Sequence, residues 1–230
     1  MTRVAITNIV LIGMIGSFSL AQDSTPRVQV FGGYSFVHAG SGGLTGTTLD
    51  SDLGAPSGTF GIGSNFNGWN AEAQYNWKPW LGLVADFGGR YGTPITAPSG
   101  ISGVPTLSGY SFLFGPVLSY KTKSRISPFV HALFGWDRAS LSTGTFFGVA
   151  SSSPSSSAGA TYTDFAMALG GGVDYKLSRA FSLRLGQLDY LYTNHDLNSF
   201  YGSAFGPGRF QGLATHENNL RFSTGMVLRF

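Results

Sequence analysis

Hydrophobic and polar residues alternate through the last segment of the chain, residues 219–230 (N-L-R-F-S-T-G-M-V-L-R-F). Counting back from Phe230 in steps of two gives one face of apolar residues and a threonine. The other face holds small residues, Val227 and the arginines Arg221 and Arg229. A period of two residues predicts a β-strand rather than a helix. One face of this strand therefore meets an apolar environment, and the other a mostly polar one.

Seven earlier segments show the same period. The clearest covers residues 68–77, where Trp69 and Trp77 lie on the apolar face and Glu72 on the polar face. With the last segment, the chain contains eight predicted strands of about 10 to 12 residues, enough to cross a bilayer when tilted. The other six predicted strands are residues 28–38, 81–91, 109–120, 128–138, 164–176 and 181–193.

Pro116 interrupts one of these strands. A proline cannot donate a hydrogen bond to the ladder, and a closed barrel has no free edge to place it on. We therefore expect a bulge at Pro116.

Residues 181–193 do not follow a strict alternation, because it would turn Gln187 and Asp189 to the apolar side. A bulge near Gly186 exchanges the two faces. With that bulge, Arg184, Gln187 and Asp189 all point inward. We expect this irregularity in the seventh strand.

The connections between strands alternate in length. Short turns at Lys78, Lys121 and Ser178 separate long loops that follow residues 38, 91, 138 and 193. This pattern is typical of outer-membrane barrels with short periplasmic turns and long extracellular loops. The sequence therefore predicts an all-β protein, an eight-stranded antiparallel up-and-down transmembrane β-barrel.

Aromatic residues at the strand ends fit two membrane girdles. The predicted periplasmic girdle contains Trp77, Trp80, Tyr120, Tyr175, Phe181 and Phe230. The predicted outer girdle contains Tyr34, Trp69, Tyr91, Tyr110, Trp136 and Tyr192.

Composition agrees with this prediction. Only 11% of the residues are charged, glycine and phenylalanine are abundant (34 and 19 residues), and cysteine is absent. The chain therefore forms no disulfide and has no thiol chemistry. A net charge of +3 does not indicate a nucleic-acid partner.

The N-terminus has the features of an export signal. A short basic start is followed by a mostly apolar stretch and by small residues at Ser19 and Ala21. We predict a signal peptide over residues 1–21 and the barrel domain over residues 22–230. A retained membrane anchor is the alternative, but it requires about 20 strongly apolar residues. This stretch is shorter and is broken by Thr7 and Asn8.

The inward faces carry the charged residues. Trp77 and Leu81 both face outward, so the hairpin between them places Glu72 opposite Asp86. Two facing carboxylates require a cation between them, and the candidates are Arg90, Arg184 and Arg221. The predicted lumen polar network is Glu72, Asp86, Arg90, His131, Asp137, Asp174, Arg184 and Arg221.

A pair of acids can act in glycoside hydrolysis, but an eight-stranded barrel is filled by its own side chains. A structural ion network is the preferred interpretation, and a proton-gated or salt-gated constriction is the alternative. The four histidines, of which His131 points into the lumen, have no spacing typical of a metal site. We expect no catalytic, cofactor-binding or metal-binding residues.

The motifs V-F-G-G-Y-S-F, L-G-G-G-V-D-Y and D-Y-L-Y, with the terminal Phe230, occur in that order. In this the chain resembles the OmpA-like, opacity-type family of eight-stranded outer-membrane barrels. The resemblance implies a place in the bacterial outer membrane, among its lipid and lipopolysaccharide. It also implies periplasmic chaperones and the barrel-assembly machinery as partners. The assembly signal would comprise Phe222, Met226, Leu228 and Phe230.

The resemblance and the loops together suggest a function. We expect a non-enzymatic barrel with a structural role in the envelope and surface loops for adhesion or ligand contact. The alternatives are a small diffusion channel and, less favoured because G-x-S-x-G is absent, a membrane-embedded lipid hydrolase. Aromatic residues expected in the loops are Phe60, Phe66, Phe146, Phe147, Phe200, Tyr201, Phe205 and Phe210.

Overall fold

The computed structural model describes residues 26–40, 45–48, 59–62, 65–92, 95–96, 106–120, 124–142, 159–194 and 216–230. The predicted signal peptide lies outside the described residues. Eight long strands are β1 (Val28–Ala39), β4 (Asn65–Asn76), β5 (Leu81–Gly92), β7 (Thr106–Ser119), β8 (Ile126–Ser142), β9 (Gly159–Lys176), β10 (Phe181–Thr193) and β11 (Glu217–Arg229). Three short strands are β2 (Thr45–Thr48), β3 (Thr59–Ile62) and β6 (Ile95–Thr96).

The eight long strands form a closed antiparallel barrel in which each strand pairs with its neighbours along the chain. β1 closes the barrel by pairing with β11, with Phe36 opposite Phe222. A main-chain hydrogen bond of 2.9 Å from Phe230 N to Val28 O extends this closure to the C-terminus. The predicted eight-stranded antiparallel barrel is confirmed.

The two ends of the barrel differ in their connections. At one end, the short-turn end, β1 begins, β11 finishes and the strands are joined by the turns at residues 77–80, 120–125 and 177–180. At the opposite end, the long-loop end, the strands are joined through residues 40–64, 93–105, 143–158 and 194–216.

Side chains alternate between the two faces of the wall, as the sequence pattern predicts. On β4, Asn70, Glu72 and Gln74 are buried in the lumen, and Tyr75 is exposed on the outside. The girdle residues Trp77, Trp80, Tyr120, Phe181, Phe230, Tyr34, Tyr91, Tyr110 and Trp136 are exposed, and Trp69, Tyr175 and Tyr192 are half-buried. The described residues contain no helix long and apolar enough to cross a membrane.

The bulge expected in the seventh long strand is confirmed. Arg184 pairs with Asp174 on β9, but the next pair joins Gly186 to Val173, so Leu185 is an extra residue. The pairing with β11 shifts between Arg184 and Gln187. The shift turns Arg184, Gln187 and Asp189 to the buried side, and Leu188 is exposed.

The bulge expected at Pro116 is wrong. Pro116 lies opposite Leu83 on β5 within an unbroken series of pairs. On the other side, Phe114 of β7 pairs with Phe134 of β8 before the proline, and Val117 pairs with His131 after it. The register between β7 and β8 is therefore the same before and after Pro116. The wall therefore accommodates the missing proline donor without inserting a residue.

β8 and β9 extend further toward the long-loop end than predicted. The sequence predicts a loop over residues 139–163, but the two strands stay paired until Ser142 lies opposite Gly159. β7 also reaches this level, because Thr106 pairs with Ser142 on its other side. The last residues of β8 are small or polar and show no clear alternation. They are held in the strand by main-chain pairing with β7 and β9.

Part of the predicted loops is also strand. β2, β3 and β6 form a separate three-stranded antiparallel sheet, in which Thr48 pairs with Thr59 and Gly61 with Thr96. Phe60 lies in β3. Phe66, expected among the loop aromatics, is instead a buried residue of β4. The remaining predicted loop aromatics lie outside the described residues.

Candidate functional site

Arg184 is the centre of one group of charges in the lumen. The bulge of β10 turns it inward, where its Nη1 donates to Glu72 Oε2 at 2.6 Å and its Nε donates to Asp174 Oδ1 at 3.0 Å. Nη1 also donates to Gln187 Oε1. Three strands, β4, β9 and β10, are thereby joined across the interior. Asp174 is shared, because Arg229 Nη2 lies 3.4 Å from its Oδ2.

Two aromatic rings enclose the same guanidinium group. The Arg184 Cζ atom lies 4.2 Å from the centre of the Phe31 ring and 4.3 Å from that of Phe129. A cation over an aromatic face is stabilised by the ring quadrupole, more so where water is excluded. Arg184 is only 2% exposed. These contacts place an arginine and two phenylalanines across the interior of the barrel.

Arg221 is the centre of a second group. Its Nη1 and Nη2 each donate to the Asp86 carboxylate at 2.9 Å, a bidentate pair. Its Nε and Nη2 also donate to Asp189 Oδ2 at 3.0 and 2.8 Å. Asn70 Nδ2 donates to Asp86 Oδ2 at 2.7 Å. Arg221 therefore holds together carboxylates from β5 and β10.

Gln187 connects the two groups. Its Nε2 donates to Glu72 Oε1 at 2.8 Å and to Asp189 Oδ2 at 2.9 Å. His131 extends the connection to β8, since its Nε2 lies 2.8 Å from Asp189 Oδ1. A continuous set of hydrogen bonds thus runs between β4, β5, β8, β9, β10 and β11 through buried side chains.

Arg90 and Asp137 form a separate bidentate pair. The Arg90 nitrogens Nη1 and Nη2 lie 2.6 and 2.8 Å from the Asp137 oxygens. Arg90 is therefore not the cation beside Glu72 and Asp86, which pair with Arg184 and Arg221 respectively. A small cavity between Arg90 and Arg221 has room for about one water molecule.

Glycines in the barrel wall leave space for these large side chains. A Cβ atom on Gly109 would lie 2.8 Å from Arg90 Nε. On Gly170 it would lie 2.1 Å from Asp189 Oδ1 and 2.4 Å from the Leu188 carbonyl oxygen. At Gly170 the backbone contact leaves no room for a Cβ atom, so this position requires glycine, whereas at Gly109 a Cβ atom would force the Arg90 side chain to shift.

All eight residues of the predicted lumen network are buried and take part in these contacts. The structure adds four residues not among them: Asn70, Gln187, Asp189 and Arg229. The alternation already places Asn70 and Arg229 on the inward face, and the expected bulge near Gly186 places Gln187 and Asp189 there. The sequence pattern does not show which residue each of these side chains contacts, because the contacting residues lie on strands that are distant in the chain.

The chemistry of the network is that of charge neutralisation. Each of its five carboxylates, on Glu72, Asp86, Asp137, Asp174 and Asp189, contacts at least one arginine. Among the described residues, no group of three or more His, Asp or Glu side chains is placed to hold a metal ion. The arrangement binds strands of the barrel together through paired charges.

The predicted assembly-signal residues lie on the outer face of β11. Phe222, Met226 and Phe230 are exposed, and Leu228 is half-buried. They form an apolar stripe that ends beside Val28, where the barrel closes.

A model of the outer membrane protein beta-barrel domain matches residues 9–224 of the chain. None of the curated proteins matches it. Among solved structures, Ail, the attachment invasion locus protein of Yersinia pestis, is similar, with 15% identity over 90% of this chain and 100% of that chain and a TM-score of 0.50.

Two further structures have comparable similarity. Neisserial surface protein A shares 16% identity over 89% of this chain and 97% of its own, with a TM-score of 0.51. OprG of Pseudomonas aeruginosa shares 12% identity over 90% of this chain and 96% of its own, with a TM-score of 0.50. At these identities the likeness concerns the fold.

Proposed function

Because the chain belongs to the outer membrane protein β-barrel family, we propose that it is a non-enzymatic integral protein of the bacterial outer membrane. Its function is to support the envelope and to make surface contacts through the segments at the long-loop end. Residues 1–21 are removed as a signal peptide, and residues 22–230 form the barrel. Lipopolysaccharide surrounds the long-loop end, and the barrel-assembly machinery and periplasmic chaperones deliver the chain.

One observation carries this proposal: the lumen is crossed by the continuous hydrogen-bonded network from Glu72 to His131. Buried ion pairs are costly to break, because removing one partner leaves an uncompensated charge. Phe31 and Phe129 add apolar bulk at the same place. A solute would have to displace these groups to pass. Interactions with other molecules therefore belong to the barrel ends, where loops on a rigid scaffold commonly carry function.

The charge at the long-loop end restricts the class of ligand. The connecting segments there and the adjoining parts of the strands contain five acids and two arginines: Asp50, Asp52, Asp164, Asp196, Glu217, Arg138 and Arg209. The similar structure of Ail has been determined in complex with the heparin analogue sucrose octasulfate. An acidic surface repels such a polyanion. For this chain we infer a neutral or basic surface ligand.

The first experiment combines gel mobility with protease treatment of intact cells. A closed barrel should migrate differently before and after boiling, and external protease should cut only within the four long connections. Such a result supports an integral barrel with its long-loop end outside. A boiling-insensitive protein that external protease leaves uncut would contradict both the location and the orientation.

The second experiment tests the ligand class. Fluorescent heparin is applied to intact cells that display the protein, with cells that display Ail and cells with an empty vector as controls. We expect binding at the level of the empty vector, because the long-loop end is acidic. Strong, saturable heparin binding would show that the inference from charge is wrong, while leaving the barrel assignment intact.

A further inference from the structure

Basic residues are concentrated at the short-turn end of the barrel. Seven of the 14 lysines and arginines lie in its three turns or immediately beside the strand ends there: Arg27, Lys78, Lys121, Lys123, Arg125, Lys176 and Arg179. The net charge of +3 conceals this distribution, because the long-loop end is acidic and the lumen charges largely cancel. The turns at residues 77–80, 120–125 and 177–180 contain no acidic residue at all.

Main-chain hydrogen bonds fix the strand ends and turns that carry five of these residues, Arg27, Lys78, Arg125, Lys176 and Arg179, which form the basic ring. Asn76 N donates to Arg27 O at 2.7 Å, and Lys176 N donates to Arg125 O at 2.7 Å. The remaining turns are joined in the same way: Ser119 N to Trp80 O, Tyr120 N to Pro128 O, and Arg229 N to Ala180 O, at 2.8 to 2.9 Å. The ring therefore belongs to the rigid barrel.

The charges of the ring are available to a ligand. Arg27, Lys78, Arg125, Lys176 and Arg179 are all exposed. Within the part of the chain that the structure describes, none of these five forms a salt bridge. Arg229, by contrast, points to Asp174 inside the barrel.

Exposed aromatic side chains adjoin the ring on the outer surface of the barrel. Trp77, Trp80 and Tyr120 are 58%, 51% and 70% exposed, and the Lys78 Nζ atom lies 5.5 Å from the centre of the Trp80 ring. Aromatic residues of this kind sit at the headgroup level of a bilayer. Lysine and arginine beside them extend their charged ends to the interface. The ring is thus at the depth of lipid phosphates.

From this geometry we propose that the basic ring binds the headgroups of anionic phospholipids in the leaflet at the short-turn end. In outer-membrane barrels the short turns face the periplasm. Basic residues close to a membrane surface attract anionic lipids, and the attraction decays within a Debye length. The acidic long-loop end lacks this property, so the protein recruits anionic lipid on one side only.

The test uses the folded full-length barrel in phosphatidylcholine bilayers that contain a trace of spin-labelled lipid. Electron paramagnetic resonance gives the fraction of labelled lipid immobilised at the protein surface. We expect labelled phosphatidylglycerol to associate about threefold more strongly than labelled phosphatidylcholine. The preference should disappear at about 1 M salt, where the Debye length is about 3 Å.

Two variants locate the effect. K78Q/R125Q/K176Q/R179Q removes four of the seven basic residues of the short-turn end, so the preference should fall by more than half. The control R138Q/R209Q, which removes basic residues of the long-loop end, should keep it. Gel mobility before and after boiling verifies that both variants are folded. A wild-type protein without preference, or a quadruple variant that retains it, would overturn the proposal.

A periplasmic barrel end also faces the cell wall, so the same proteins are tested for sedimentation with purified peptidoglycan. Binding to peptidoglycan that depends on the ring, without any lipid preference, would assign the ring to the wall and overturn the lipid proposal. Lipid preference without sedimentation supports it. Neither result depends on a surface ligand at the long-loop end.

Discussion

Arg184 holds two carboxylates, an amide oxygen and two aromatic rings, and its removal should be among the most damaging single substitutions in the lumen. We expect Arg184→Ala to reduce the free energy of unfolding by about 3 to 5 kcal/mol, because Glu72 loses its cation in a buried site and Asp174 keeps the longer contact with Arg229 alone. Guanidinium unfolding of the protein in lipid vesicles measures the change. The control Arg179→Gln, on an exposed turn, should stay within about 0.5 kcal/mol of wild type.

The double variant E72Q/R184M separates the effect of stranded charge from that of lost packing. It removes Glu72 together with its partner Arg184, while Asp174 keeps its contact with Arg229, so it should recover about half or more of the loss seen in Arg184→Ala. If the double variant is no more stable than the single variant, uncompensated charge is not the cause.

Two glycines on opposite faces of the wall provide a second test at the residue scale. A methyl group on Gly170 would collide with Asp189 and with the Leu188 carbonyl oxygen, whereas one on Gly32 would meet nothing within 4 Å. We expect Gly170→Ala to destabilise the barrel by about 1 to 3 kcal/mol and Gly32→Ala to change stability by less than about 0.5 kcal/mol. The same unfolding assay compares them. Equal effects would contradict the packing inferred around Asp189.

Among the elements, β10 shows most clearly how a local irregularity sets the lumen. Deleting Gly186 removes one residue from the bulge, so the alternation runs unbroken through the strand and Arg184, Gln187 and Asp189 all stay inward. We therefore expect this deletion to keep the mobility shift on boiling. Deletion of Ser155 in the serine-rich connection is the control and should also keep the shift. Loss of the shift in the Gly186 deletion alone would count against the bulge.

The strands differ in how far sequence predicts them. Alternation with large outward residues, as in β4, is sufficient to predict both strand and register, and Glu72 does lie opposite Asp86. It fails at the ends of β8 and β9, where small and polar residues such as Ser140 and Thr161 are held by neighbouring strands rather than by their own pattern. The four-residue and two-residue strands β2, β3 and β6 are too short to show a period.

The candidate site divides in the same way. The alternation along each strand predicts which side chains point into the lumen, so the eight network residues can be named from the sequence. Their partners cannot, because Arg184 and Glu72 are separated by 112 residues and Arg221 and Asp86 by 135. Any of three arginines satisfies the electrostatic requirement of the facing acids. Arg90 lies nearer than Asp86 to the long-loop end of β5, and there it pairs with Asp137 instead.

The closing strand provides a prediction about assembly. Phe230 and Phe181 are both exposed aromatic residues at the short-turn end, 38% and 44% exposed, but only Phe230 is part of the proposed signal. Deleting Phe230 should slow membrane insertion and leave unfolded chain in the periplasm, whereas Phe181→Ala should insert at the normal rate. Pulse-labelling followed by cell fractionation measures both. Normal insertion without Phe230 would contradict the signal role.

For the whole molecule, we infer that the network of charges and the two phenylalanines act as a plug between two chemically different ends. The interior of an eight-stranded barrel is just wide enough for its own side chains, and in this barrel each of the five buried carboxylates is paired with an arginine. Buried pairs are screened by salt much less than exposed ones. High salt should therefore weaken lipid contacts at the basic ring without opening the lumen.

Conductance in planar bilayers tests this separation. The wild-type barrel should show no stable single-channel steps at either low or high salt, because ions would have to break the contacts of Arg184 and Arg221 to pass. The double variant Phe31→Ala/Phe129→Ala removes the two rings that flank Arg184 and is expected to remain folded. It should produce small, ion-selective conductance steps. Regular steps in the wild type that grow with salt concentration would instead favour a diffusion channel, in which case the polar network is a constriction and not a plug.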